Sequence, residues 1–481
     1  MVFSSIEFII LFTIILILLS SVEAVFRKKE DSIKEKLKIK HIILLVGSYI
    51  FYGWWDWRFC FLMLALTVIA YISSIKIYNN KHVTFYKILG IVFPLVILGF
   101  FKYFNFFIES FVNTFGITKV STLEIILPVG ISFFTFQTLS YIIDVNNKNI
   151  SPCKSFVKLA LYISFFPQLV AGPIVKASYF LPQLEEDRKI TWNGFNDGIQ
   201  IFVFGLLKKV VIADTLSVFV DQVFNFPKSF SSMTIVLAII SYAIQIYYDF
   251  SGYSDMAVAL AKILGYDLPR NFNLPYISKN ISEFWKRWHI SLSEWLQEYL
   301  YFSLGGNRKG VIRTYINLLI TMVLGGLWHG ANWTFIVWGA LHGIALCFHK
   351  YYSKNIVPKM NIKIPNIVCI IITNIFLCFS LVFFRCESFE QVFNVFKQLF
   401  VFKVGINHIF TPAIVSIICL SIATYIAIKN SPVVNGKKQI EGMYPIMDLT
   451  TIKGMTILFI SIGLVLGLAY TGASPFIYFQ F

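Results

Sequence analysis

The histidine best placed for chemistry in this sequence is His329, in the segment Gly325–Trp333, GGLWHGANW. It lies between two strongly apolar runs, residues 315–324 and 334–348. An ionisable side chain at membrane depth is costly, so an imidazole retained there indicates a functional site. The neighbouring glycines allow two helices to approach closely or the backbone to break. The alternative interpretation is a turn histidine at an outer membrane interface.

A second histidine, His289, lies in the long polar segment 265–313, where Ser282 is predicted to cap an amphipathic helix. The apolar positions of that helix include Phe284, Trp285, Trp288, Leu292, Trp295 and Leu296. Such a helix is expected to lie in the cytoplasmic interface, with its indoles at headgroup level. By this interpretation His289 is an interfacial histidine that bonds a carbonyl or a headgroup.

Further polar residues interrupt apolar runs. His342 belongs to an ordinary helix with small neighbours, for which packing is the better interpretation. The others are Gln137, Asp144, Lys208, Lys209, Asp214, Asp249 and Asp255. The two lysines are expected either to pair with Asp214 or to mark the point where their helix leaves the membrane. Asp249 and Asp255 could serve a proton relay, so a proton-coupled transporter or flippase stays open as a function.

The composition places the chain in a membrane. Of its 481 residues, 57% are hydrophobic and only 14% are charged, whereas soluble domains carry about 25% charged residues. The net charge of +16 is carried largely by loop lysines, so it indicates topology, and nucleic acid is not an expected partner. Seven scattered cysteines form no CxxC pair, and neither a metal site nor a disulfide framework is expected.

Apolar windows predict an all-α, polytopic membrane protein with about twelve transmembrane helices. The windows fall near residues 6–25, 41–55, 59–77, 87–112, 124–145, 199–222, 232–263, 311–326, 332–349, 366–384, 409–428 and 454–472. Residues 156–175 break the alternation of basic and neutral loops and contain Pro167, Gly172 and Pro173, so they are predicted to be re-entrant. Both termini are then expected outside, with residues 6–25 as an uncleaved anchor.

Taken together, the polar interruptions resemble the membrane-bound O-acyltransferase family. The similarity is to its bacterial branch, which holds alginate and peptidoglycan O-acetylation proteins and the D-alanyl transferase of teichoic acids. The phrases that carry it are FFTFQTLSYIIDV (133–145), FFPQLVAGPI (165–174), YYDFSGYSDMAVALAKILGYDLPRNFNLPY (247–276), ISEFWKRWHISLSEWLQEYLYFSLGG (281–306) and GGLWHGANWTFIVWGALHG (325–343). The pairing of WxRWHISLSxWL with LWHG is highly specific.

The resemblance implies how a site would work. His329, in the LWHG phrase, is the implied catalytic residue, and His289 is the second important histidine. A central tunnel, surrounded by transmembrane, re-entrant and amphipathic cytoplasmic-side helices, would let a donor made inside reach an acceptor outside. Neutral imidazole would accept the proton of a hydroxyl as that hydroxyl attacks a thioester, and nearby donors would stabilise the oxyanion. The predicted substrate-binding residues are Trp328, Asn332, Trp285 and Trp288.

The final residues, FIYFQF (476–481), bear on the branch of the family. One interpretation is an aromatic anchor at the outer interface. The resemblance adds that Tyr478 is a candidate acyl acceptor that forms a transient ester. A similar motif ends a separate small protein in teichoic acid systems, so its fusion here favours polysaccharide O-acetylation. The predicted division is an acyltransferase core, 1–408, followed by a C-terminal transmembrane hairpin, 409–481.

The predicted function is that of a membrane O-acyltransferase. It would move an acetyl group from a cytoplasmic thioester, acetyl-CoA or an acyl-carrier thioester, for O-acetylation of an extracytoplasmic exopolysaccharide or peptidoglycan, with no bound cofactor. D-alanyl transfer to teichoic acid and the transporter or flippase are the alternatives. The resemblance implies an extracytoplasmic partner of the SGNH esterase type and a place in the lipids of the bacterial inner (cytoplasmic) membrane.

Overall fold

The chain is almost entirely helical over the residues that the computed structural model describes. These are 1–27, 32–116, 122–359, 364–401, 405–430, 433–434, 437–438, 447–469 and 476. The strands within these ranges are two paired stubs, Val433–Val434 and Lys437–Lys438. The chain forms two compact units, one of Met1–Phe202 with Ser254–Pro269 and one of Val203–Tyr253 with Arg270–Phe481.

The first unit is built from the N-terminal helices. They are α1 (Ile6–Phe26), α2 (Ile33–Gly53), α3 (Arg58–Tyr78), α4 (Val83–Leu98), α5 (Phe104–Phe115), α6 (Ile131–Asn146), α7 (Phe156–Ser164), α8 (Phe166–Leu169), α9 (Ala177–Phe180) and most of α10 (Trp192–Leu206). A π-helical turn, Gly99–Tyr103, joins α4 to α5.

The segment predicted to be re-entrant, 156–175, is interrupted and buried. Helix α7 has nine residues and α8 only four, whereas a straight crossing needs about 20. At Gly172 an added Cβ would lie 2.5 Å from Cα of Gln168, so only glycine fits this turn. All residues from 159 to 175 are buried. A continuous spanning helix is therefore absent over 156–175, and a re-entrant path stays a prediction.

The second unit contains the other helices. They are α11 (Asp214–Asn225), most of α12 (Ser232–Ile263), α13 (Ile281–Trp285), α14 (Ile290–Trp295), α15 (Val311–His329), α16 (Trp333–Tyr351), α17 (Asn366–Arg385), α18 (Phe389–Phe400), α19 (Thr411–Asn430) and α20 (Ile452–Leu468). π-Helical stretches follow α10, α14 and α16, at Leu207–Ala213, Leu296–Tyr301 and Tyr352–Ile356.

Six helical stretches of the described chain are long and apolar enough to cross a membrane. They are Ile6–Phe26, Arg58–Tyr78, Val83–Phe115, Ser232–Ile263, Val311–His329 and Asn366–Arg385. Two shorter apolar helices, Thr411–Ile426 and Ile452–Leu468, accompany them. The helical membrane architecture is therefore confirmed, whereas a total of about twelve crossings and a central tunnel stay predictions.

The hairpin of α15 and α16 is held together by glycines. An added Cβ on Gly326 would lie 2.2 Å from the carbonyl oxygen of Phe335, and one on Gly339 would lie 2.3 Å from that of Met322. The two backbones therefore touch where any larger residue would separate them. The turn between the helices has three residues, and it ends at Asn332, whose side chain caps α16. The segment LWHGANW thus spans the end of α15, the turn and the start of α16, between the helices that the apolar windows 311–326 and 332–349 predict.

A buried ion cluster joins α11 and α12 through Lys209, which lies in the π-helical stretch after α10. Its ammonium group is 2.7 Å from a carboxylate oxygen of Asp214 and 2.6 Å from one of Asp249. The three side chains are at most 11% exposed. Of the two interpretations offered for the lysines, pairing with Asp214 is the one observed for Lys209.

Candidate active site

The segment that carries His289 is broken at that residue. Helix α13 is capped by Asn280, whose side chain accepts a hydrogen bond from the backbone N–H of Glu283 at 2.9 Å. The hydroxyl of Ser282 instead lies 3.2 Å from Nδ1 of His349. His289 itself has φ 41° and ψ 56°, in the left-handed region, which separates α13 from α14. The prediction of one amphipathic helix capped by Ser282 is therefore wrong.

His289 is fully buried, with none of its surface exposed. Its ring meets the ring of Phe250 edge to face at 4.5 Å and lies 5.8 Å from that of Trp328. Burial lowers the pKa of His289 to about 3, so the imidazole is neutral at physiological pH. The interfacial interpretation is therefore wrong, because the left-handed turn places this residue among buried aromatic rings. Such backbone strain in a residue other than glycine is often found at functional sites.

His329 ends α15 and is only 3% exposed. Three aromatic rings surround it, at 5.0 Å (Trp328), 5.2 Å (Trp338) and 5.2 Å (Phe384). The ring of His289 lies 6.4 Å away. The structure thus brings together the two histidines that the sequence singled out, within one aromatic cluster of the second unit.

A third histidine, His342, shares a small cavity with His329. The cavity has a volume of about 20 Å³. Its lining consists of Ile246, Tyr276, Phe284, Trp288, His329, Trp338, His342, Leu377, Ser380, Leu381 and Phe384. His342 is 1% exposed, as the packing interpretation requires, and its Nε2 is 3.1 Å from Oγ of Ser380. Sequence reasoning missed the position of His342 beside the site, although a histidine between Gly339 and Gly343 is the same signal that marked His329.

The four predicted substrate-binding residues take different places. Trp328 contacts both His289 and His329, and Trp288 lines the cavity. Trp285 lies farther out, with its ring 5.3 Å from that of His342. Asn332 accepts a hydrogen bond from the backbone N–H of Thr334 at 3.0 Å and donates one to the carbonyl of Glu387 at 2.7 Å. Its observed contacts are those of a helix cap, so Trp328 and Trp288 are the better placed members of the set.

The C-terminal aromatic motif enters this unit through Phe476. That residue is 3% exposed, and its ring lies 4.8 Å from Tyr253 and 5.9 Å from Phe250. Since Phe250 also contacts His289, one ring separates the start of the motif from the histidine cluster. Tyr478, the predicted acyl acceptor, lies outside the described residues.

The arrangement suits proton transfer in a buried, mostly apolar site. A neutral imidazole can accept a proton from an attacking hydroxyl, and a low-dielectric surrounding strengthens each polar interaction that it forms. An indole N–H such as that of Trp328 can donate to a developing oxyanion. These are the requirements of acyl transfer.

Comparisons with known proteins agree with this chemistry. Residues 152–390 match the model of MBOAT, the membrane-bound O-acyltransferase family. The chain is 39% identical over 372 residues to the probable alginate O-acetylase AlgI of Pseudomonas aeruginosa, covering 76% of this chain and 70% of that protein. It is 39% identical over 393 residues to the peptidoglycan O-acetyltransferase of Helicobacter pylori, covering 76% and 73%. A more distant relative is the teichoic acid D-alanyltransferase of Bacillus subtilis, 29% identical over 281 residues, with 55% and 70% covered.

These similarities define the class of the protein as a membrane-bound acyltransferase. The chain belongs to the membrane-bound O-acyltransferase family, and the resemblance inferred from its motifs is confirmed. The matched range 152–390 contains His289, His329 and His342.

Proposed function

We propose that the protein transfers an acetyl group from a cytoplasmic thioester, acetyl-CoA or an acyl-carrier thioester, to an extracytoplasmic polysaccharide. The observation that carries the proposal is the burial of His289 and His329 in one aromatic cluster, 6.4 Å apart. Relatives named for O-acetylation of alginate or peptidoglycan are 39% identical, against 29% for a D-alanyltransferase. This difference favours acetyl transfer to an exopolysaccharide or to peptidoglycan.

His329 acts as the general base in this proposal. It accepts the proton of the acceptor hydroxyl while that oxygen attacks the carbonyl carbon of the thioester. The carbon–sulfur bond then breaks, and the departing thiolate takes the proton back from the imidazolium. Trp328, which contacts both histidines, donates from its indole to the oxyanion, and His289 holds the donor carbonyl on the other side.

The C-terminal motif FIYFQF (476–481), called the tail below, acts as an intermediate acceptor of the acetyl group. Phe476 is seated on Tyr253 and Phe250, and Phe250 contacts His289. An extended chain advances about 3.3 Å per residue, so two further residues cover about 7 Å. This length is enough for the Tyr478 hydroxyl to approach the histidine cluster. There it would receive the acetyl group as an aryl ester and later pass it to a sugar hydroxyl.

The proposal includes a topology. About twelve helices surround a tunnel through the bacterial inner membrane, with both termini outside, so that the acetyl group crosses and the donor stays inside. Residues 1–408 form the acyltransferase core, and 409–481 form a terminal hairpin that delivers the tail. An extracytoplasmic SGNH-type partner completes the transfer to the glycan.

Proton-coupled transport is the less favoured alternative. Its relay would use the lysine pair with Asp249 and Asp255. Lys209 and Asp249 instead take part in a buried ion cluster with Asp214. A buried pair of this kind explains those charges by helix packing and requires no coupled ion.

The test is acetyl transfer by washed membranes that contain the full chain, supplied with a labelled acetyl thioester and no ion gradient. We expect transfer by the parent protein and a loss of at least about 100-fold for His329→Ala, because a general base contributes that much. A matched control is His82→Asn, since His82 is exposed and has a left-handed backbone that asparagine tolerates. Normal transfer by His329→Ala would remove this residue from the reaction, and an absolute need for a gradient would favour transport.

A further inference from the structure

His342 lines the same cavity as His329, and both of its ring nitrogens are buried. The cavity of about 20 Å³ is of the size that holds one water molecule. Its lining is mostly aromatic and aliphatic, and its polar groups belong to His329, His342, Ser380, Tyr276 and the indoles of Trp288 and Trp338. The Tyr276 hydroxyl donates to the carbonyl of Ala243. Among the described residues, Nε1 of Trp338 is buried without a hydrogen-bond partner. The two histidines, Ser380 and the indole N–H groups therefore decide what occupies the space.

The hydrogen bonds of Ser380 determine the tautomer of His342. The Ser380 hydroxyl is 2.9 Å from the carbonyl oxygen of Leu377, which can only accept. We assign the one hydroxyl proton to that carbonyl, so the Ser380 oxygen accepts from Nε2 of His342, 3.1 Å away. Neutral His342 then carries its proton on Nε2 and a lone pair on Nδ1. Within the described part of the chain, that buried Nδ1 has no hydrogen-bond partner.

A buried acceptor without a donor is costly, and a water in a polar cavity is the usual solution. We propose that one water in this cavity donates to Nδ1 of His342 and accepts from a ring N–H of His329, which makes His342 a positioning residue. This inference rests on the proposed role of His329 as general base. The water holds the proton of His329 on the nitrogen that faces the cavity, so the opposite nitrogen keeps its lone pair for the acceptor hydroxyl.

The competing explanation is that His342 only ties α16 to α17 through Ser380. The two explanations use different nitrogens of the same ring, so two substitutions separate them. His342→Asn places an amide near the position of Nδ1 and is too short to reach Ser380. His342→Gln reaches Ser380 with its terminal amide and has no polar atom near the position of Nδ1.

The experiment measures kcat and KM for acetyl transfer from the labelled thioester by the parent, His342→Asn, His342→Gln and His329→Ala. For His342→Gln we expect kcat to fall at least about tenfold with KM unchanged. This fall should be smaller than the fall in kcat caused by His329→Ala, which removes the base itself. His342→Asn should retain several-fold more activity than His342→Gln, and the acidic limb of the kcat profile should move only in the glutamine variant. Equal losses, or an active glutamine variant beside an inactive asparagine variant, would leave the Ser380 tie as the explanation.

A second measurement separates failure of this inference from failure of the proposed function. An inactive parent protein would overturn the proposed acetyl transfer. A high-resolution experimental map of the unmodified protein would then show whether the bridging water is present. A density peak within hydrogen-bond distance of Nδ1 of His342 and a ring nitrogen of His329 supports the bridge. A dry cavity, or a peak that contacts only one histidine, overturns it.

Discussion

The imidazole rings of His289 and His329 lie 6.4 Å apart, and Trp328 contacts both, at 5.8 Å and 5.0 Å. This separation of ring centroids is too long for a direct hydrogen bond between the rings. In the function we propose, both rings contact one reacting carbonyl from different sides. His289 lies in a strained left-handed turn, whereas His329 lies at the end of a helix. The relative position of the two rings therefore depends on two separate local conformations.

Replacement of His289 tests whether its imidazole or only its backbone conformation matters. Alanine loses both the ring and the tolerance of a left-handed backbone, whereas asparagine loses only the ring. We expect both His289→Ala and His289→Asn to lower the transfer rate at least about tenfold, if the imidazole contacts the donor. Both variants lose the buried contacts of the ring, and the alanine variant should be less stable than the asparagine variant by about 1 kcal/mol because of its backbone.

Initial rates over a range of thioester concentrations and thermal unfolding in detergent measure the two effects. A His289→Asn protein with the parent rate would show that His289 serves the fold and not the reaction.

The glycine contact between α15 and α16 gives a second prediction. A Cβ at Gly326 would lie 2.2 Å from a backbone oxygen of the neighbouring helix, so Gly326→Ala must push the hairpin apart. We expect a loss of about 1–3 kcal/mol in stability, as for other overpacked sites, together with reduced transfer because His329 follows three residues later. The matched control is Gly463→Ala in α20, where an added Cβ meets nothing within 4 Å. That control should be neutral or slightly more stable, since alanine is the better helix former.

Thermal unfolding and transfer rates of both glycine variants decide the matter. Equal behaviour of the two would mean that the close contact of the helices does not position His329.

The ion cluster around Lys209 gives a third prediction. Lys209→Met leaves Asp214 and Asp249 buried without the cation that now contacts both. Removing one partner of a buried pair costs about 3–5 kcal/mol, so this variant should unfold earlier than the parent. The triple variant Lys209→Met, Asp214→Asn, Asp249→Asn removes all three charges and should recover part of that stability. The measurement is the unfolding temperature of each variant, with acetyl transfer recorded in parallel. An unchanged unfolding temperature for Lys209→Met, together with loss of activity, would favour a role of these residues in a proton relay.

The hairpin around His329 was predictable because its signals are local. Two apolar runs of spanning character flank a short segment of glycines, a histidine and a helix-capping asparagine, and each of these signals acts within a few residues. The pairing of Lys209 with Asp214, five residues apart on one helical stretch, was open to sequence reasoning for the same reason. The second partner of Lys209, Asp249, belongs to another helix, so this contact could not be predicted from the sequence.

The surroundings of His289 could not be predicted, because they depend on contacts between distant parts of the chain. The tryptophans around it have the spacing of an amphipathic helix, and that pattern does not reveal a left-handed residue in its middle. The rings that contact His289 at this break belong to distant helices, because Phe250 lies in α12 and Trp328 in α15. Apolar faces that look suited to a membrane interface are thereby buried within the second unit.

The last prediction concerns the tail. Phe476 is buried against Tyr253 and Phe250, so the motif FIYFQF begins beside the ring that contacts His289. The motif has no charged side chain, and it can enter an apolar site without desolvating an ion. A phenol has a pKa near 10, so an aryl acetate on Tyr478 would pass its acetyl group readily to a sugar hydroxyl.

We therefore expect Tyr478→Phe, which keeps the ring and removes only the hydroxyl, to stop glycan acetylation. Phe476→Ala should instead weaken the seating of the tail and lower the rate in part, because the hydroxyl of Tyr478 is still present. Mass spectrometry of the protein after incubation with donor alone should find one acetyl group on the C-terminal peptide of the parent and none on that of Tyr478→Phe. If Tyr478→Phe acetylates glycan as well as the parent while deletion of residues 476–481 inactivates the protein, the tail is a docking element and the covalent relay is wrong.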